Sequence, residues 1–359
     1  MKKIYPLLPI VIVSVTGIAN AAPEHIYANA ISAQNIAAIQ HSIAQTAFNS
    51  FEGSIERHIY KKASKKAPVQ RPAPVQKNLY GTMRTYGEYN DDGNIGRNGG
   101  DTNPDLILNN IWLNWQHLGD NAKIDNLSAL ESDFDMIMGG LAGGEAKMGN
   151  GISKWGIYSG YIGGKQENKS LNIDEQGGFV GVYNGFDMGR FNLSTTINGG
   201  AIDNSAQNDF GTDDYSNFWI GGIINATYDI SLDETFTIRP GVQIGYTWIK
   251  SKNYTSASAD IIENQNFNMF EISPEIRMLK HIGNGWLGSL NAKYIMFAFG
   301  GGDTTINSTR IEETDIDNFF EYGLSLEKHI SKTNISINIG RHDGARYGWV
   351  GGINIKHIF

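Results

Sequence analysis

Hydrophobic and polar residues alternate one by one along most of the chain after residue 110. The clearest run is FTIRPGVQIGYTWIK, residues 236–250, where apolar residues take nearly every second position and polar or small residues fill the positions between them. Shorter runs at 270–278, 320–328 and 334–340 repeat the pattern. A period of two places the apolar side chains on one face of a β-strand, and residues 236–250 exceed the usual strand length of soluble proteins.

Twelve segments of this kind follow one another along the sequence. They start near Ile111, Phe134, Lys154, Gly178, Phe191, Asn217, Phe236, Met269, Trp286, Phe319, Asn334 and Gly348. Each is about ten residues long or slightly longer, which is the length that a tilted membrane-spanning strand needs. The pattern therefore predicts an antiparallel sheet of transmembrane strands.

The connections between these segments alternate in length. Short turns are predicted at 148–151, 187–190, 231–234, 282–285 and 331–333, and longer polar loops near 120–132, 166–176, 202–216, 251–266, 300–317 and 341–347. This alternation is expected of a membrane β-barrel with short periplasmic turns and longer extracellular loops. A soluble sandwich with Greek-key connections is not expected to alternate short and long connections so regularly.

A sheet whose apolar face meets lipid must pair every backbone N–H and C=O group within the protein, so it must close. We therefore predict an all-β fold: a single-chain 12-stranded antiparallel transmembrane β-barrel with an N-terminal α-helical segment and a linker. Aromatic residues near both strand ends, such as Trp155 and Trp349, are typical of the girdles at membrane interfaces. The last strand should pair with the first and leave Phe359 facing lipid at the periplasmic interface.

The first third of the chain has a different organisation. Residues 1–21 combine a basic start, an apolar run and small residues, which predicts a secretory signal peptide. Residues 22–60 are predicted to form an amphipathic helical segment, because isoleucines recur at three- and four-residue steps. Residues 61–110 are predicted to form a basic Pro-rich linker and a Gly/Asn-rich extended segment, either a plug or a passenger remnant. The barrel is assigned to 111–359, and whether Leu79–Tyr89 adds a strand stays open.

Composition supports a large sheet and excludes several classes of protein. The chain has no cysteine, so disulfide frameworks and thiolate metal sites are excluded. Its 43 Gly, 16 Tyr, 16 Phe and 7 Trp suit a β-fold. From Leu79 onward it carries 20 basic and 34 acidic residues. We expect no nucleic-acid partner for so acidic a domain.

The ordered series of strands resembles the autotransporter β-domain of type V secretion. The resemblance is carried by 153–164, 175–186, 191–200, 236–248, 270–278 and the terminal GWVGGINIKHIF. It implies a twelve-stranded outer-membrane barrel with a helix through its pore. It also implies insertion by the barrel-assembly machinery, whose signal is a C-terminal strand ending in an aromatic residue, here Ile353, Ile355 and Phe359.

The resulting hypothesis is an outer-membrane autotransporter-type β-barrel that translocates or displays its short N-terminal segment and its loops at the surface of a Gram-negative cell. The alternative is a plugged or passive outer-membrane pore, and an outer-membrane hydrolase is a third and weaker reading. The expected partners are outer-membrane lipid and, during biogenesis, the Sec translocon and the barrel-assembly machinery. We expect a monomeric barrel without cofactor, metal or catalytic residues, and self-cleavage stays open.

Charged residues on the polar face of the strands are the candidate functional residues of the barrel. The residues predicted to face the lumen are Arg239, Glu271, Glu275, Arg277, Lys293, Glu321 and Glu327. They either hold a plug and set ion preference, or pair across strands inside a hydrated interior. The histidines show no metal-binding spacing, and the neighbours His342 and Asp343 are expected to lie in a solvated turn rather than in a hydrolase site.

Overall fold

One helix and a closed sheet make up the computed structural model. The structure describes residues 28–64, 110–123, 129–143, 146–148, 151–300, 304–311 and 317–359. The helix, α1, spans Ala28–Ser64. The predicted signal peptide, most of the linker and the optional strand at Leu79–Tyr89 lie outside the described residues.

The barrel consists of twelve antiparallel strands in sequence order. They are β1 (Asn110–Ala122), β2 (Leu130–Ala142), β3 (Gly151–Glu167), β4 (Asn172–Asp187), β5 (Phe191–Asn208), β6 (Gly211–Tyr228), β7 (Phe236–Ser251), β8 (Gln265–Gly283), β9 (Trp286–Gly300), β10 (Phe319–Ile330), β11 (Thr333–Gly344) and β12 (Arg346–Ile358). β12 pairs with β1 along its whole length, from Asn110 opposite Ile358 to Ala122 opposite Arg346. The predicted closed, twelve-stranded barrel is therefore confirmed.

The two ends of the barrel differ, and we call them the turn end and the loop end. The turn end carries the short connections between β4 and β5, β6 and β7, β8 and β9, and β10 and β11, together with the start of β1 and the end of β12. Asp233 shows why these turns are tight, since its carboxylate accepts hydrogen bonds from the backbone N–H groups of Thr235 (2.6 Å) and Phe236 (2.8 Å). The same backbone N–H groups lower the pKa of Asp233 below its usual value.

Three of the predicted loops are in fact strand, and one of them, 341–347, belongs to β11 and β12 apart from Ala345. The segments 166–176 and 202–216 continue the ladders, so that β3 pairs with β4 up to Glu167 opposite Asn172, and β5 pairs with β6 up to Asn208 opposite Gly211. Here the outward residues are polar, whereas the inward ones include buried apolar residues such as Ile173, Ala206 and Tyr215. The alternation with apolar residues outward, which marks the membrane strands in the sequence, is therefore lost. Cross-strand bonds such as that from Ser205 to Asp214 (2.9 Å) join these extensions.

A small cap closes part of the loop end. Four short strands, Tyr254–Thr255, Ile261–Ile262, Thr304–Ile306 and Thr309–Ile311, form a second sheet. Tyr254 stacks on Tyr215 of β6 at 5.0 Å between ring centroids, and burial raises the pKa of the Tyr254 hydroxyl above its ordinary value. The cap therefore packs onto the projecting strands.

The outer face of the barrel is apolar. Side chains such as Val180, Leu290 and Ile337 are 67%, 57% and 58% exposed. At the margins of this band, Trp349 lies towards the loop end and Phe359 at the turn end, 55% and 62% exposed. The lipid-facing surface and its aromatic margins thus lie where the alternation predicted them.

Candidate functional site: the lumen and its helix

The helix α1 runs through the lumen with a defined direction. Its first turn packs at the loop end, where Ala28 and Ile31 are buried against Leu130 and Tyr215. At the other end, Asn354 Nδ2 donates to the hydroxyl of Ser50 (3.1 Å), and Lys356 donates to the Ser50 carbonyl. Residues 28–50 span about 33 Å at 1.5 Å per residue, which matches the depth of a bilayer core.

The helix is buried on all sides between residues 28 and 48, apart from two partly exposed side chains at 42 and 45. The sequence predicted one apolar face, but Asn35 and His41 are as inaccessible as Ile36 and Ile43. The reason is that the wall around the helix is apolar on one side and polar on the other.

No helix of the described residues has the length and apolar character needed to cross a bilayer.

An aromatic sector lines the lumen along β1 to β6. It contains Trp112, Phe134, Tyr158, Phe179, Tyr183 and Trp219, which join α1 in one core cluster. Glycines opposite these rings make room for them: a Cβ on Gly140 would lie 2.5 Å from the indole of Trp112. The apolar side chains of α1 are buried against this sector, and the helix lies closest to β4 to β7.

Polar contacts hold the loop-side half of α1. Ser32 shares a 2.8 Å hydrogen bond with the hydroxyl of Tyr215. Asn35 donates to the Glu175 carboxylate (3.1 Å), which also accepts a bond from Gln166 (2.6 Å). Since each of these groups is buried, loss of a partner would leave a polar atom without compensation.

A charge network runs from α1 at mid-depth across to the wall near the loop end. We call it the central charge network: His41, Glu271, Glu321, His342, Asp120 and Arg346. His41 Nδ1 lies 2.8 Å from Glu271 and its Nε2 lies 3.7 Å from Glu321. Glu321 in turn lies 3.3 Å from His342 Nε2. The network is continuous from the helix to β10 and β11.

The far end of the network is a bidentate ion pair. Asp120 accepts bonds from Arg346 Nε (2.7 Å) and Nη2 (2.6 Å), and His342 Nδ1 lies 2.9 Å from the same carboxylate. Asp120 and Arg346 are each 1% exposed. Paired planar groups of this kind give strong, oriented hydrogen bonds.

The residues predicted to face the lumen all lie on the inner face, but they do not form one ring. Glu271 and Glu321 meet at His41. Glu275 forms a separate group with Lys293 (3.6 Å) and Arg277 (3.9 Å).

The remaining two predicted residues have partners nearer the turn end. Arg239 pairs with Asp229 through its Nε (2.5 Å) and Nη2 (3.1 Å). Glu327 accepts a bond from Asn334 (2.8 Å). The structure therefore distributes these seven charges over four sets of partners along the wall.

Sequence reasoning missed four of the six residues of the central charge network. The prediction of a solvated turn at His342 and Asp343 is wrong for His342, which is 5% exposed on the inner face because β11 continues to Gly344. Asp343 points to the outer face. The alternation of 334–340, extended by one step, already places residue 342 on the polar face. His41, Asp120 and Arg346 carried no such signal in the sequence.

A vestibule remains beside α1 on the side away from the aromatic sector. Its cavity volume is about 150 Å³, and it lies between the helix and β1 and β8 to β12. Short polar side chains line it: Ser42, Gln45, Thr46, Asn114, Gln116, Ser289, Asn291, Ser325, Ser336, Asn338 and Asn354. Phe319 and His342, both buried, border it towards the loop end, and it extends towards the turn end as far as Glu327.

The lumen offers hydrogen bonds and ion pairs rather than a metal centre. Among the described residues, no group of three or more His, Asp or Glu side chains is placed to hold a metal ion. Ile353, Ile355 and Phe359, predicted as the assembly signal, lie outside the lumen on the lipid face, 41%, 43% and 62% exposed. The chemistry of the lumen is therefore that of binding a helix.

Comparison with known proteins agrees with this architecture. The family model of the autotransporter beta-domain matches residues 115–345. The transport unit of the autotransporter AIDA-I from Escherichia coli shares the fold with a TM-score of 0.56 at 14% identity, over 72% of this chain and 93% of that one. No curated protein matches the sequence significantly.

Two further solved structures share the barrel. The beta domain of the Bordetella autotransporter BrkA has a TM-score of 0.55 at 14% identity, covering 70% of this chain and 100% of that one. The translocator domain of NalP from Neisseria meningitidis has a TM-score of 0.56 at 11% identity, covering 70% and 88%. At sequence identities this low, the structural similarity shows that the fold is shared.

Proposed function

The chain belongs to the autotransporter β-domain family of outer-membrane translocator barrels, and from that premise we propose that it keeps α1 in its lumen to present the N-terminal end of the helix, with the surrounding loops, at the cell surface. The single observation behind this proposal is the direction of the helix. Ala28 lies at the loop end and Ser50 at the turn end. In membrane barrels the longer loops are extracellular and the short turns periplasmic.

The chain length ahead of the helix supports display of a short segment. If the signal peptide ends at residue 21, as the sequence predicts, residues 22–27 precede Ala28. Ala28, which follows them, belongs to one buried cluster with Tyr215 of β6, and Tyr254 of the small cap packs against that cluster. The displayed surface would then consist mainly of the barrel's own projecting hairpins.

The contacts of α1 support a retained helix. Its buried side chains bind β4, β6, β8 and β12 along the full depth of the lumen through bonds that include Asn35 to Glu175 and His41 to Glu271. Breaking several buried bonds at once would be costly. The helix therefore serves as a plug after assembly.

Cysteine labelling of intact cells tests the topology, because the natural chain has no cysteine. An impermeant maleimide should label Glu24→Cys, ahead of the helix, and Phe210→Cys, at the tip of the β5–β6 hairpin. Met188→Cys at the turn end, where Met188 is 46% exposed, is the matched control and should react only after permeabilisation.

The proposal predicts that Glu24→Cys and Phe210→Cys behave alike. If Glu24→Cys reacts only after permeabilisation, as Met188→Cys should, the N-terminal end is not displayed and the proposal is wrong. If Met188→Cys reacts in intact cells and Phe210→Cys does not, the assumed orientation is wrong.

The vestibule favours a second function, a narrow pore beside the helix plug. Its polar lining would accommodate water and small solutes next to α1. Planar-bilayer recordings of the refolded protein test this idea: steady single-channel conductance in the presence of the helix supports a pore, and its absence leaves display as the remaining function.

Membership of the family also leads to a proposal about biogenesis. We propose that Ile353, Ile355 and Phe359 form the signal for the barrel-assembly machinery after Sec export, and that the barrel is monomeric in outer-membrane lipid. All three side chains face lipid on the closing strand. Replacing Phe359 with Ala should lower the amount of assembled barrel in cells while refolding into detergent is retained.

A further inference from the structure

Two cations lie over aromatic rings on the outer wall near the loop end. The Arg341 guanidinium lies 5.4 Å from the ring centroid of Trp349, and the Lys123 ammonium lies 5.3 Å from that of Tyr347. Arg341 pairs with Trp349 between β11 and β12, and the backbone N–H of Lys123 donates to the carbonyl of Ala345 (2.7 Å). We call these four side chains on β11, β12 and the end of β1 the cation–aromatic patch.

The patch lies where the apolar band ends. On β11 the outward residues Ile335, Ile337 and Ile339 are 36%, 58% and 46% exposed, and Arg341 is the next outward residue towards the loop end. Aromatic residues at this level mark the boundary between acyl chains and headgroups. The two cations therefore lie at the depth of lipid headgroups.

The cations of the patch differ in their hydrogen bonding from the cations that lie over aromatic rings at the turn end. Lys328 lies over Trp286 and Lys280 over Phe236, at 4.8 Å and 5.6 Å. Each of these two ammonium groups also donates a hydrogen bond, Lys328 to the Asn284 carbonyl (2.5 Å) and Lys280 to Thr235 (3.0 Å). Within the part of the chain that is described, the side chains of Arg341 and Lys123 form no hydrogen bond or ion pair, so their donors face outwards.

Elsewhere on the outer rim at the loop end, the end of β7 carries the exposed Lys250 and Lys252, with Lys252 over Phe218 at 4.9 Å. The strands β2 and β4 to β6 are acidic there. Exposed carboxylates occupy the outward positions of β2, β4, β5 and β6: Glu131, Asp133, Asp135, Asp174, Asp203 and Asp214. Asp343, next to the patch on β11, is exposed as well. An anionic headgroup would be repelled along these acidic strands and attracted at the patch.

We propose that the cation–aromatic patch binds a phosphorylated glycolipid of the membrane leaflet at the loop end. Two cations on different strands fit a headgroup with two phosphates, the half-exposed indole of Trp349 offers apolar surface to one of its sugars, and its acyl chains lie along Ile337 and Ile339. Arg341 suits phosphate in particular, because its planar donors bind two oxygens at once. The inference goes beyond the proposed function and uses only its orientation in the membrane.

Native mass spectrometry of the refolded full chain in neutral detergent tests the site. The probes are a bisphosphorylated diglucosamine lipid, its dephosphorylated form and phosphatidylglycerol. We expect the double variant Arg341→Gln/Lys123→Gln to bind the bisphosphorylated lipid at least about tenfold more weakly, in line with the loss of two charge-assisted contacts. Binding of the dephosphorylated lipid should not change.

Matched variants decide whether the patch is specific. Lys328→Gln/Lys280→Gln removes two cation–aromatic pairs at the turn end and should leave binding unchanged, and Asp343→Asn should leave it unchanged or tighter. The variants change exposed side chains except at Lys328, which is half-buried, and the folding of every variant is checked by heat-modifiable gel mobility. The proposal is overturned if the patch variant binds like the natural chain, if the turn-end variant loses as much, or if phosphatidylglycerol binds as tightly as the glycolipid.

Discussion

His41 has an acidic neighbour at each of its ring nitrogens, at 2.8 Å from Glu271 and 3.7 Å from Glu321. Glu271 is completely buried, and Gln243 and Ser273 also donate to it. A buried carboxylate needs a nearby cation to offset the cost of its desolvation. At the residue scale, His41 is therefore the side chain that couples the helix to the wall.

Replacing His41 with Ala should destabilise the refolded barrel by about 3–5 kcal/mol, because it leaves a buried carboxylate without its nearest cation. Denaturant unfolding in detergent, followed by tryptophan fluorescence, measures the change. Ser42→Ala, one residue along and only half-buried, is the control. A second change, Glu271→Gln, should recover part of the loss in a double-mutant cycle, and equal losses for His41→Ala and Ser42→Ala would contradict the coupling.

The ion pair of Asp120 and Arg346 closes the other end of the network. Asp120→Asn should cost about 3–5 kcal/mol in the same unfolding experiment, since Arg346 stays buried with a neutral partner. Asp343→Asn, an exposed position on the outer face of β11, should change stability by less than about 0.5 kcal/mol. If the two substitutions changed the free energy of unfolding by similar amounts, the buried ion pair would contribute no more to stability than an exposed carboxylate.

At the scale of elements, the strands were largely predictable and the contacts of the helix were not. Alternation placed Arg239 and Gln243 on the inner face of β7, and the structure buries both. It failed for the strand extensions around Asp203 and Asp214, which lie beyond the apolar band. There water satisfies the outward polar residues, and the inward face mixes apolar residues such as Ala206 with polar ones, so the alternation with apolar residues outward disappears from the sequence.

The partners inside the lumen depend on how strands distant in sequence meet. Asp120 and Arg346 are brought together by closure of the barrel, and His41 reaches Glu271 only because α1 enters the lumen. Neither pairing has a local signature. The apolar half of the inner wall was missed for a related reason, since inward aromatics such as Tyr158 and Trp219 resemble lipid-facing ones when the sequence is considered alone.

The position of α1 in the lumen leads to a prediction about conductance. Deleting residues 28–50 should raise the single-channel conductance several-fold, because a helix about 10–12 Å wide fills most of the lumen. Planar-bilayer recordings of the natural and deleted proteins, both checked for folding by heat-modifiable gel mobility, give the comparison. Unchanged conductance in a folded deletion variant would mean that another segment closes the lumen.

At the scale of the whole molecule, the barrel inverts the usual distribution of side chains. The most exposed residues along β11 include Ile337 and Ile339, whereas Asn334 and His342 are buried. This arrangement is stable only where lipid surrounds the outer face. Closure from β12 to β1 removes the last pair of sheet edges, which would otherwise be left unpaired in lipid.

Two neighbouring positions on β11 test this inversion directly. Ile337→Lys places a charge on the lipid face and should destabilise the barrel by about 2–4 kcal/mol if the position lies near the bilayer midplane. Asn338→Lys places the same charge in the half-buried polar vestibule, where water and Glu327 are available, and should cost much less. Denaturant unfolding in lipid vesicles measures both variants against the natural chain. If the two costs were equal or their order were reversed, the apolar face would not be the one in contact with lipid.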